Sequence, residues 1–217
     1  LPLAIAMAVV GGGLRAVWQG LNVPDYRYQF LSQLLETLSR DAEPDARFYV
    51  KLVCSPATAK SKQLDTVADP RRRGWKIDRY HDDWLTLTGT FIDRTAFMLT
   101  LTESTLAKYG WKSSRSGKRK FKRKVKPKGI EILLELDFPR KRYGAIRMLQ
   151  ADVQQAIQLP ADVQLKRLKI SDRSFTLGIK ASPRYLSADA LHQLITQLYL
   201  NAYHVLNLAR QLSKQTN

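Results

Sequence analysis

A chain of 217 residues, 44% hydrophobic and 25% charged, is long enough for one sizeable core and too apolar to be disordered throughout. Lysine and arginine number 36 against 19 acids, a formal charge of +17; this excludes no fold but points to an anionic partner, whether nucleic acid, acidic lipid headgroups or an acidic protein. The single cysteine, Cys54, rules out an internal disulfide and a cysteine-built zinc site, and fits a reducing compartment.

The chain opens on leucine rather than methionine, as a fragment of a longer protein would, and shows no basic stretch ahead of its first apolar run. "LPLAIAMAVVGGGL" carries no charge before Arg15; as a helix it spans about 21 Å, short of a hydrocarbon core of about 30 Å. Ala4, Ala8, Gly12, Ala16 and Gly20 recur every fourth residue, which on a helix makes a groove of small side chains that admits a second helix closely. We therefore expect residues 1–23 to form an apolar helix, either a membrane anchor or a buried soluble helix; as an anchor, Arg15 and the basic chain beyond it place the main domain on the cytosolic side. "Gly11-x-Gly13-x-x-Ala16" also imitates a dinucleotide-binding turn, but no second strand ending in an acid follows.

Residues 24–217 read as one α+β domain, mainly an antiparallel meander against two or three helices. Pro24 and Asp25 open a helix whose Phe30, Leu31, Leu34, Leu35 and Leu38 form a core-facing stripe. "RFYVKLVC" reads as a strand that buries Cys54, and residues 55–74 as a solvated loop closing on Arg71, Arg72 and Arg73. "GWKIDRY", "DWLTLTGTFI" and "TAFMLTLTES" read as three strands, the first two joined by a turn at His81-Asp82-Asp83 and the last two at Asp93-Arg94. In the middle strand Leu85, Leu87 and Phe91 alternate with Thr86, Thr88 and Thr90, one face buried and one wetter. "GIEILLELDF" alternates likewise, and "YGAIRMLQADVQQAIQL" predicts a helix ending at Pro160. A strand pair, "VQLKRLKIS" and "SFTLGIKA", precedes the last helix, from about Ser187 to Lys214. On that helix Leu191, Leu194, Leu198, Asn201, Val205, Leu208 and Leu212 follow a coiled-coil period, while Ile195, Tyr199, Ala202 and Leu206 make a second stripe. Either the helix packs on the sheet or its seam meets a partner helix.

Between two good strands, "KSSRSGKRKFKRKVKPKG" holds ten cations and no acid. Ordinary hairpin loops take two to five residues, so residues 111–129 predict a long hairpin arm or a flexible loop, extended by self-repulsion. Its candidate anion contacts are Lys112, Arg115, Lys118, Arg119, Lys120, Lys122, Arg123, Lys124, Lys126 and Lys128, with Trp111 and Phe121 as aromatic companions. Arg71, Arg72, Arg73, Arg140, Lys141 and Arg142 are candidates to extend the same surface, and Glu131, Glu135 and Asp137 to neutralise part of it across the strands.

Enzymatic motifs are absent: there is no HExxH, no Walker-type lysine loop and no nucleophile elbow. The adjacent His81, Asp82 and Asp83 read as turn chemistry rather than a catalytic or metal cluster. No cofactor is expected. The expected role is a non-enzymatic accessory, scaffolding or assembly protein on the cytosolic face of a membrane, its arm docked on anionic lipid or an acidic protein. The alternative is a soluble, cytoplasmic RNA- or DNA-binding protein in which the same arm contacts phosphates.

Overall fold

The computed structural model describes residues 24–113, 117–143 and 157–215, with side chains to residue 211; the small-residue series from Ala4 to Gly20, Arg115 and most of the helix expected before Pro160 lie outside them. Strands β1 (Tyr49–Leu52), β2 (Gln63–Ala68), β3 (Lys76–Thr90), β4 (Ala96–Ser113), β5 (Arg119–Asp137), β6 (Val163–Ile170) and β7 (Ser174–Ala181) form one seven-stranded sheet. Its order is β1-β3-β4-β5-β7-β6, with β2 beside β3 past the end of β1, and every pairing is antiparallel. Helices α1 (Asp25–Ser39) and α3 (Ala188–Gln215) cover one face, and a short α2 (Arg140–Tyr143) follows β5. The α+β expectation holds.

The covered face is set by strand alternation. Leu85 and Leu87 of β3, Leu99 and Leu101 of β4, Ile132 and Leu134 of β5 and Leu177 and Ile179 of β7 are opposite one another in register and almost fully buried. Phe30, Leu34 and Leu38 of α1 join them, as do both stripes of α3, from Leu191, Leu194 and Leu198 to Ile195, Ala202 and Leu206. The coiled-coil seam is thus spent on the sheet over its described length, and Asn201, its polar position, donates to the Gln158 carbonyl at 2.8 Å. The opposite face, with Thr86, Thr88, Thr100 and Glu135, carries no helix among the described residues.

Several local expectations are corrected. "HDD" is no turn: β3 runs straight through it, and a bulge at Trp84 absorbs the break in alternation between Asp83 and Leu85. The expected loop at 55–74 contains a turn of 3₁₀ helix (Lys60–Lys62) and all of β2, an edge strand too exposed for its sequence to show an apolar alternation. Cys54 is exposed, because the chain has left β1 at Leu52; its thiol lies 3.8 Å from the Tyr28 hydroxyl. At Asp93-Arg94 the tight turn is as expected: Arg94 takes φ 67°, and the Asp93 carboxylate accepts from the Thr95 N–H at 2.8 Å and from its hydroxyl at 2.9 Å.

Strand β5, 19 residues long, extends roughly 60 Å at the usual rise per residue, and only part of it lies beneath helices. Pairing with β7 covers Ile130 to Asp137 alone. From Arg119 to Pro127, among the described residues, β5 pairs only with β4, so one of its edges is open. Over its described residues the expected arm is therefore paired antiparallel strand, as far as Ser113 opposite Arg119.

Candidate functional site

The base of the arm is fastened by a buried charge cluster. Arg27, in the first turn of α1, donates to Asp82 at 2.9 Å and to Glu103 at 2.7 Å, with its guanidinium 4.7 Å from the Trp84 ring centroid. Lys62 reaches the other oxygen of Asp82 at 2.6 Å, while the hydroxyls of Tyr26 and Thr105 donate to Glu103. Burial, with the charge of Glu103 beside it, pushes the Tyr26 hydroxyl up to about 12. Two buried acids met by two cations and two hydroxyls leave little net charge, so this cluster is a structural clasp. The clasp also disposes of the "HDD" triplet. Asp82 points into the cluster, while His81 and Asp83, 4.0 Å apart, lie on the open face. No group of three or more metal-ligating side chains occurs among the described residues.

Beyond the clasp, alternation sorts the arm's residues onto two faces. Opposite pairs in the register share a face: Leu106 with Lys126, Lys108 with Lys124, Gly110 with Lys122, and Lys112 with Lys120. That face is a lysine row. The other face carries Ala107 with Val125, Tyr109 with Arg123, Trp111 with Phe121, and Ser113 with Arg119. Trp111 and Phe121 meet edge to face at 5.7 Å, Phe121 and Tyr109 at 6.0 Å, and the Arg119 guanidinium lies 5.7 Å from the Trp111 centroid. Arg123 donates to the Tyr80 hydroxyl at 3.5 Å, and Tyr80 and Tyr109 both donate to Asp78 at 3.1 Å.

Trp75 braces the arm from the lysine side. A Cβ on Gly110 would lie 2.6 Å from its ring, so glycine is what lets the indole lie flat on β4. Its Nε1 donates to the Trp111 carbonyl at 3.2 Å. Arg72 stacks over Trp75 at 4.7 Å, which brings the turn of Arg71, Arg72 and Arg73 against the arm at Gly110 and Lys122. Arg140, Lys141 and Arg142 are not brought there: they follow the opposite end of β5, some 50 Å away along the strand. Glu131 does not neutralise the arm either, because it pairs with Lys180 across β5 and β7 at 2.9 Å; Glu135 and Asp137 lie still further from the arm along β5.

Among the described residues, Lys112, Lys118, Arg119, Lys120, Lys122, Arg123, Lys124, Lys126 and Lys128 have no carboxylate within ion-pairing distance. The neighbouring cations do: Arg79 pairs with Asp65, and Lys108 approaches Asp69 at 3.5 Å. The sequence reading missed Lys108, Tyr109, Trp75 and Tyr80 as members of this surface. Continuing the alternation of "TLAKYGWK" back from Trp111 would have found the first two. Tyr80 comes from β3 and Trp75 from the residue just before it, and only the pairing of β3 with β4 places them.

The fold and site define an α+β protein whose antiparallel sheet, covered on one face by the described helices, runs past them into a cationic, aromatic-faced β4–β5 arm that β3 flanks as far as Tyr109. Comparison with known proteins found no matching family model, no matching curated protein and no matching solved structure.

Proposed function

We propose that the protein binds nucleic acid through the β4–β5 arm, holding phosphates largely without regard to sequence and performing no chemistry itself. The observation that supports this is the placement of cations without ion-paired acids on both broad faces of the arm, along the open edge of β5, among the described residues. A chain-like polyanion can fold over the open β5 edge and contact both faces at once. A flat bilayer meets one face only. The lysine row would give it about 1 kcal/mol per residue, but Trp111 and Phe121 would then point away from the lipid. Docking with those aromatics dipping into the interface would bring only Arg119 and Arg123 to the headgroups and leave the lysine row in water. No described helix is long and apolar enough to cross a membrane.

The test is binding of the protein to mixed-sequence RNA and, in parallel, to vesicles with and without anionic lipid. Strong RNA binding that falls about 10³–10⁵-fold between 50 and 200 mM salt is the outcome for six to ten phosphate contacts. Reversing Lys120, Lys122, Lys124 and Lys126 to glutamate abolishes it. A reversed variant that binds RNA as the wild type does, or weak RNA binding beside vesicle binding that requires anionic lipid, overturns the proposal in favour of the membrane role.

A further inference from the structure

Resting on that reading, we infer that the arm takes single-stranded rather than duplex nucleic acid, with bases stacked on the Tyr109–Phe121–Trp111 strip and the backbone passing over the open edge of β5 to the lysine row. Three observations carry this. The first is exposure: Trp111 is 56% and Phe121 53% accessible, although the same face, further along the sheet, buries Leu99, Leu101 and Ile132 under α1 and α3. Large rings left half in water keep π-surface for a flat, apolar group to cover, beyond what their mutual edge-to-face contact uses.

The second is composition of the aromatic face. Arg119 and Arg123 stand on the same face as the rings, one over Trp111 and one opposite Tyr109. A base on Trp111 or Phe121 would therefore place its own phosphate beside a guanidinium. Stacking of this kind accepts any base, since every base has a π-face, and it requires bases free of their own helix. A duplex keeps its bases stacked internally and would meet only the cations.

The third is the open edge. From Arg119 to Pro127, β5 has β4 on one side and no strand on the other among the described residues. The backbone of a single strand can cross this edge from the ring face to Lys120, Lys122, Lys124 and Lys126. The lysines also discourage a second β-strand from adding there, so the edge stays available for a polyanion.

The experiment compares an oligouridylate with a mixed-sequence RNA duplex of the same length, at one salt concentration, using wild type, Trp111→Ala, Phe121→Ala and the four-lysine reversal. Both aromatic substitutions are on exposed side chains, and thermal unfolding of each variant checks that the fold is kept. The inference expects wild type to favour the single strand, each aromatic substitution to weaken single-strand binding by about tenfold or more, and duplex binding to stay within about twofold. Tryptophan fluorescence, quenched when a base stacks on an indole, should respond to the oligouridylate in wild type and lose that response in Trp111→Phe. Equal binding of both RNAs, unchanged by either aromatic substitution but abolished by lysine reversal, overturns the inference and leaves a phosphate-only arm. Loss of effect on lysine reversal as well overturns the nucleic-acid reading beneath it. A blue shift of Trp111 emission on anionic vesicles, with no response to RNA, overturns both.

Discussion

Arg27 and Glu103 are 2.7 Å apart and both buried, although one belongs to the first turn of α1 and the other to the middle of β4. Their contact lies where the sheet passes from beneath the helices into the arm, so a charge pair holds the N-terminus of α1 at that boundary. Arg27→Met would leave Asp82 with Lys62 alone and Glu103 with only hydroxyl donors. Removing one partner of a buried pair costs about 3–5 kcal/mol, whereas replacing both by apolar groups costs far less. Urea denaturation of Arg27→Met should show a loss of that size, and the double variant Arg27→Met, Glu103→Leu should recover part of it. A single variant within about 1 kcal/mol of wild type would show that the clasp contributes nothing.

At the other end of the sheet, Asp93 makes stability depend on acid. Burial pushes its carboxyl up, but hydrogen bonds from Tyr143, from the backbone and hydroxyl of Thr95 and from Tyr203 outweigh this and hold it below the usual range. With the folded-state pKa depressed, the unfolded chain takes up the proton first as pH falls. The contribution is therefore full above the unfolded value of about 3.9 and is lost as pH drops through the lower folded value. Tyr143 has the opposite sign: burial and the Asp93 carboxylate push its hydroxyl up to about 12, so its contribution is full below about pH 10 and is lost as pH rises through the folded value. Asp93→Asn should flatten the acid limb of a stability-against-pH curve measured by urea titration. It should not abolish that limb, because Asp65, Asp69 and Asp162 are also held low by their partners. An unchanged acid limb would remove Asp93 from the account.

Much of this architecture was legible in short-range pattern. Alternation in "DWLTLT" and "GIEILLELDF", helical spacing in "YRYQFLSQLLETLS" and the two stripes of α3 each report burial on a known period, and the structure buries those residues. What was not legible depends on register. Nothing local says that Arg27 meets Asp82 and Glu103, that "HDD" is strand whose side chains alternate between two faces just ahead of a bulge at Trp84, or that Trp75 lies on Gly110. The basic segment was visible as charge, but its division into a lysine row and an aromatic face follows only from knowing that it is strand rather than loop. The Arg140–Arg142 run shows the same limit in reverse: a sequence distance of a dozen residues from Lys128 becomes a separation along about half of β5, because the chain stays extended to Asp137.

Gly129 is the hinge of this geometry. It takes φ 139°, and a Cβ there would lie 2.2 Å from the Ala181 carbonyl oxygen, where β5 leaves β7 and the arm begins. Gly129→Ala must strain the backbone, at about 1–3 kcal/mol for such a conformation, and must also push β5 from β7. Gly74→Ala is the control: φ is 76° there too, but nothing lies within 4 Å of the added carbon. Thermal unfolding should place Gly129→Ala well below Gly74→Ala. Equal melting temperatures would mean that the β5–β7 junction yields freely.

The two-faced arm makes a sharper demand on salt dependence than on affinity. Each phosphate contact removed lowers the slope of log K against log salt by about one. Replacing Lys120, Lys122, Lys124 and Lys126 by glutamine strips one face, and replacing Arg119 and Arg123 by glutamine strips the other. If a nucleic-acid strand wraps the ribbon, both variants should have shallower slopes, and the combined variant should show the sum, because cations on opposite faces touch different phosphates. If the arm instead lies flat on a surface, only one set should matter and the other should leave the slope unchanged. RNA titrations of the three variants at several salt concentrations distinguish the two geometries. An unchanged slope for the arginine variant would confine binding to the lysine row and make the aromatic face a bystander.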